Sequence, residues 1–265
     1  MNKFVFWILF LLFPQLVFAV PAIQHWTTGN GTKVYFAQAN EIPIVDVRVV
    51  FDAGGARDAG KAGLAALTNS LLTEGAGKLS ADMIAERLDN VGAQLGSGSL
   101  RDMAWLSVRS LSEEKVLRDT IGLMSLILSK PTFPKRSLER QRKSMLVGLR
   151  ASKQNPASLA AEAFMKAVYG SHPYASPPDG TEESINSLTP EDIQQYYEKY
   201  YVASNAIIAI VGDLSRPKAE ALAEVLTGGL SAGEKAPRLP EVKPIESQVV
   251  RVDFPSTQTH VWVGE

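Results

Sequence analysis

The sequence predicts an α+β fold, an antiparallel sheet covered by helices, with the start of a second, similar domain at its end. Three observations lead there. Glycine-marked turns at Gly29-Asn30-Gly31 and in "LGSGSLRD" each join a pair of apolar segments, and hairpins make antiparallel neighbours. Amphipathic helical stretches then follow one another before a last apolar strand, "NAIIAIVGDL". Strands, then helices, then a strand and a helix fit α+β better than a doubly wound parallel sheet.

The amino terminus, "MNKFVFWILFLLFPQLVFAVPAIQ", places Lys3 before an apolar run from Phe4 to Phe13, with Val17 and Ala19 three and one residues before a cleavage point. This pattern predicts a secretory signal peptide over 1–19. Pro14 and Gln15 break the run well short of the ~20 residues a membrane span needs, so no stable span is expected after cleavage. A periplasmic location follows as the expectation. The chain has no cysteine, which excludes disulfides, thiol nucleophiles and a lipid-modified leader cysteine.

The first domain is expected over 20–226. "IQHWTTGNGTKVYFAQ" reads as the first hairpin, and in "IPIVDVRVVFDAGG" Val45, Val47, Val49 and Phe51 share one strand face. A helix is predicted from about Gly63 to Thr73. Ser80 caps the next, whose stripe is Ala81, Ile84, Leu88 and Val91. "AQLGSGSLRDMAWLSVRSL" is the second hairpin. Ser112 is expected to cap a helix through Leu128, with Glu113 and Glu114 suiting its first turn. Pro134 opens a long helix to about Lys153, and another spans Ser158 to Val168. After the loop "YGSHPYASPPDGTEESINSL", Thr189-Pro190-Glu191 starts a helix with threonine as cap and proline in the first turn. "NAIIAIVGDL" is then a buried strand, followed by a helix from Pro217 to Leu226. Glycine, proline and charge make 227–246 a linker, and 247–265 is expected to form two short strands, which either add to the first domain or, as the favoured reading, begin a second, truncated domain of a chain that continues past Glu265.

Net charge is −1, so no long-range attraction to nucleic acid is expected. Histidine occurs only at His25, His172 and His260, with no helical pair at metal-binding spacing. There is no G-x-S-x-G elbow, no phosphate loop and no G-x-G-x-x-G after a strand. A hydrolase built on Ser70 and His172 has nothing in sequence to orient the pair. The long helix carries Lys135, Arg136, Arg140, Arg142, Lys143, Arg150 and Lys153 against Glu139, which reads either as a solvated face or as a surface for an anionic partner.

At about 100° per residue, Ala66, Asn69, Ser70 and Thr73 share a narrow, weakly polar face of the first helix, opposite Leu64, Leu67, Leu71 and Leu72. This segment, "AGLAALTNSLLTEGAGKLS", resembles the part of insulinase/pitrilysin-type (inverzincin) zinc peptidases that carries H-x-x-E-H. The resemblance extends through "LDNVGAQLGSGSLRD" and "HPYASPPDGTEESINSLTPEDIQQYYEKYYVASNAIIAIVGDL", covering nearly all of Gln24 to Leu226. It implies a peptidase-half α/β roll. Laid on that pattern, the two zinc histidines fall at Ala66 and Ser70, the general base at Asn69, and the distal glutamate near Val147 or Gly148. No residue from Lys143 to Pro156 is acidic. A methyl, a carboxamide and a neutral hydroxyl can neither ligate zinc strongly nor act as a carboxylate base.

The resemblance therefore implies a chain with no catalytic residues and no cofactor of its own, zinc being expected on a partner subunit. The expected function is a secreted, noncatalytic subunit that supports peptide binding and proteolysis by a zinc-bearing sister chain, with unfolded peptide as substrate and no nucleic acid. The alternatives are a non-enzymatic peptide-binding or assembly module of the same fold, or a metal-independent hydrolase.

Overall fold

The computed structural model describes residues 22–264, so the expected leader at 1–19 lies outside the described residues. Strands β1 (Ile23–Thr27), β2 (Lys33–Gln38), β3 (Ile44–Phe51), β6 (Gln94–Ser99), β7 (Ala104–Leu111) and β8 (Ala206–Gly212) form one sheet in the order β1-β2-β8-β3-β7-β6. β4 (Gly75–Ala76) and β5 (Leu79–Ser80) make a separate two-residue ladder. Both expected hairpins form, with Ile23 opposite Ala37 and Ser99 opposite Ala104. Every pairing in the main sheet is antiparallel except β2 with β8. Parallel neighbours need a long crossover, and the helices between them supply it.

The helices are α1 (Leu64–Leu71), α2 (Ala81–Asn90), α3 (Glu114–Ser129), α4 (Lys135–Ser152), α5 (Pro156–Tyr169), α6 (Glu182–Ser187), α7 (Pro190–Tyr200) and α8 (Arg216–Thr227). Val34, Phe36, Val45, Val47, Val49, Phe51, Leu106, Val108, Ile208 and Ile210 point from one sheet face into the core. There they join Leu67 and Leu71 of α1, Met124 and Ile127 of α3, Ile193 of α7 and Leu226 of α8. These apolar stripes recur three or four residues apart, which is why the segments are helical and why they lie on the sheet.

The structure corrects the sequence reading at three points. β8 is not buried on both sides: Ile207 and Val211 are exposed along with Tyr35 and Leu111, because the second sheet face is uncovered among the described residues. Ser112 does not cap α3; its hydroxyl donates to Asp213 Oδ2 at 2.7 Å, and Glu113 occupies the cap position without a side-chain bond. No strand forms over 247–264. Val249, Val250, Val252, Val261 and Val263 are exposed there, and strands with no sheet to join have nothing to stabilise them.

The segment expected to be a linker is anchored along its first half. Ala203 and Ser204 donate backbone bonds to Ser231 and Ala232, Ala236 N donates to Asn205 Oδ1, and Arg57 donates to the carbonyl of Pro237. Farther on, Gln248 reaches Ala167 of α5, and the Trp262 ring lies 5.9 Å from Phe164.

Candidate functional site

α1 begins in a turn that favours glycine. Gly63 has φ 88°, and a Cβ there would sit 2.4 Å from Ile185 Cδ1. The cap comes from Asp58, whose two carboxylate oxygens accept the amides of Gly63 and Ala65, each at 2.8 Å. Burial pushes this carboxyl up to about 7, against the opposing pull of those amides. Asp58 lies five residues before Gly63, outside the usual capping spacing, so sequence pattern did not expose it.

The weakly polar face of α1 divides in two. Ala66, Ser70 and Thr73 are half-buried, but Asn69 is only 1% exposed. Its Nδ2 donates to the Trp105 carbonyl of β7 and to Tyr201 Oη, both at 3.2 Å. Asn69 sits at the border between the small face and the leucine face, and its carboxamide turns inward to clamp α1 to the sheet. Burial pushes the Tyr201 phenol well above its ordinary value, so it stays neutral. Ser70 Oγ donates to Leu67 O within the same helix at 2.8 Å.

Val147 and Gly148, where the resemblance sets the distal glutamate, carry no side-chain donor atom. Val147 is 65% exposed, and a Cβ at Gly148 would meet nothing within 4 Å. Among the described residues, no group of three or more His, Cys, Asp or Glu side chains is placed to hold a metal ion. His172 Nδ1 accepts the Tyr174 amide at 3.1 Å, and its Nε2 lies 3.0 Å from the Pro240 carbonyl, which makes Nε2 the donor. With both ring nitrogens engaged, and Ser70 bonded within its own helix, nothing activates a Ser70–His172 pair.

α1 packs against β6 and β7, beside the sheet edge that β6 forms. β6 is flat on its outer side: a Cβ at Gly98 would fall 2.3 Å from the Trp105 ring, which covers it. Among the described residues the far edge of β6 has no strand partner, leaving main-chain groups free to pair with an extended chain.

The family model described as insulinase (peptidase family M16) matches residues 33–182, and the one described as peptidase M16 inactive domain matches 187–265. The chain belongs to the insulinase family. A crystal structure of a peptidase M16 inactive domain from Pseudomonas fluorescens is 39% identical with a TM-score of 0.82, over 84% of this chain and 54% of that one. An uncharacterized zinc protease of Rickettsia felis is 23% identical over 80% of this chain and 51% of its own length. The non-peptidase homolog YmxG of Helicobacter pylori is 24% identical over 81% of this chain and 49% of its own. The chain thus spans about half the length of the curated relatives it matches.

The seam between the two family models, between residues 182 and 187, falls inside a continuous core, since α7, β8 and α8 beyond it pack with β3 and α3 before it. The residues that the motif resemblance sets at the zinc and base positions do not fit zinc chemistry. Ala66 has no donor atom, Asn69 spends its amide hydrogens on the sheet, and Ser70 is a neutral hydroxyl bonded to its own helix.

Proposed function

We propose that this chain is a noncatalytic insulinase-family subunit that holds extended polypeptide for a zinc-bearing sister chain. The observation that carries this reading is Asn69. Its side chain joins α1 to Trp105 and Tyr201; in this reading it stands where a catalytic base would, so the helix keeps its place in the fold without its chemistry. An extended peptide would add to the free edge of β6 through main-chain hydrogen bonds, a mode that needs no metal. Secretion to the periplasm rests on the leader pattern at 1–19. Ala66, Asn69 and Ser70 are accordingly assigned as degenerate motif positions, and zinc is assigned to the partner.

The test is co-purification with an intact H-x-x-E-H sister chain, followed by peptide cleavage with each chain alone and with the mixture. Turnover in the mixture that exceeds the sister's own supports the assignment. Stoichiometric zinc on this chain alone, removed by a chelator together with cleavage, would overturn it. The non-peptidase label of the Helicobacter pylori relative favours a second reading, a binding or assembly module without any peptidase partner. Peptide binding with no enhancement of any sister's turnover would select that reading.

A further inference from the structure

The seven cations between Lys135 and Lys153 look alike in sequence, but their surroundings separate them. Arg142 is buried and donates to the carbonyls of Ile185 and Leu188. Arg140 pairs with Glu74, and Arg150 and Lys153 lie 3.8 and 2.8 Å from Glu182. Lys135, Arg136 and Lys143 remain, all exposed and without an ion pair among the described residues. With Glu139 and Arg140 they form an exposed, mainly basic patch on one face of α4. From Lys135 to Lys143 the stripe runs for about 12 Å, the length of three or four extended residues.

A second observation concerns the start of α4. Pro134 is its N-cap and provides no side-chain bond, and the first turn holds no acidic residue. Two cations therefore stand at the positive end of the helix dipole, where they cost stability and an incoming anion would offset that cost. The stripe is also tied to the end of α1. Glu74, just past α1, holds both Arg140 and Gln141 of α4, and Lys143 lies one helical turn before Val147, where a zinc peptidase would place its distal carboxylate.

We propose that the exposed basic patch of Lys135, Arg136 and Lys143 docks acidic side chains of an extended polypeptide, so that the chain selects acidic segments. This rests on the peptide-holding reading above. The cations are spread over about 12 Å of helix, which suits successive carboxylates better than a single phosphate. Glu139 within the patch and a net charge of −1 both disfavour a continuous polyanion such as nucleic acid.

The experiment uses three dye-labelled, unstructured fifteen-residue peptides of matched composition, one rich in Asp and Glu, one neutral and one rich in Lys and Arg. Their binding to the chain is measured by fluorescence anisotropy at low and high salt. The expected result is that the acidic peptide binds on the order of tenfold more tightly than the neutral one, from two or three exposed ion pairs. That preference should vanish in concentrated salt. Lys135→Glu combined with Arg136→Glu should turn the preference toward the basic peptide. Acidic residues in the first turn suit the helix dipole, so this variant should melt no lower than the parent, and the reversal would not reflect unfolding. Lys143→Gln should shrink the preference without reversing it. Equal binding of all three peptides would overturn the acidic selection while leaving the peptide-holding reading intact. Binding of none would overturn both. A single-stranded oligonucleotide of equal charge binding as tightly as the acidic peptide would overturn the assignment to polypeptide.

Discussion

Helices α7 and α4 lie in the same domain and begin in opposite ways. α7 starts with a complete capping box: Thr189 Oγ1 accepts the Asp192 amide, and the Asp192 carboxylate accepts the Thr189 amide. Proline and two acids occupy its first turn and Lys199 its last, so each terminal choice favours the helix. α4 has an uncapped start with Lys135 and Arg136 where acids belong, and buries only Ser137, Leu138 and Arg142. The contrast teaches that every terminal choice in α7 favours the helix, whereas the start of α4 forgoes both a side-chain cap and an acid. Local rules broken without a folded-state benefit mark where function is to be sought.

The comparison can be broken at several levels. The largest effect is expected from Ile193→Ala in α7, which removes a fully buried side chain and should cost about 2–5 kcal/mol in denaturant unfolding. Val147→Ala on the exposed face of α4 should stay within about 0.5 kcal/mol, and similar losses at both positions would erase the contrast. Thr189→Ala removes a cap and should cost about 1 kcal/mol by the same measurement. Lys135→Glu should act in the opposite direction, adding about 0.3–1 kcal/mol, and a loss of stability there would show that the lysine serves the fold.

The smallest effect is a pH dependence. Burial alone would raise the Asp192 carboxyl, but bonds from Lys61 and Thr189 outweigh it and hold the group below its ordinary value. A depressed carboxyl adds stability that is fully present above the unfolded value near ~3.9 and lost as pH falls through the folded one. Unfolding midpoints followed from pH 6 to pH 3 should therefore fall less steeply for Asp192→Asn than for the parent. Parallel curves would show that the box carries no electrostatic share.

Much of the fold was legible because its signals are local. Alternation in "IPIVDVRVVF" and the Thr189-Pro190 start of α7 each depend on residues within a few positions, and the structure reproduces both. The resemblance to the family motif drew attention to Ala66, Asn69 and Ser70. Their individual fates were not legible, because the turn of Asn69 into the core depends on Tyr201, 132 residues away. Ser112 looked like a cap until Asp213, 101 residues on, claimed its hydroxyl. The run of cations on α4 could be sorted only once Glu74, Ile185, Leu188 and Glu182 were placed around it. Thr181, which forms a second capping box with Ser184 at the start of α6, did carry a local signal, hidden by the brevity of that helix.

The segment after Pro240 has a consequence for handling the protein. Its valines are exposed and its backbone lacks a ladder, so it offers a digestive enzyme the open, extended chain that such enzymes accept. Brief digestion should trim inward from the carboxyl end and stall where His172, Arg57 and Asn205 grip the main chain at Pro240, Pro237 and Ala236. The surviving fragment would keep α8 and the whole sheet, and its mass would report where the globular part of this polypeptide stops.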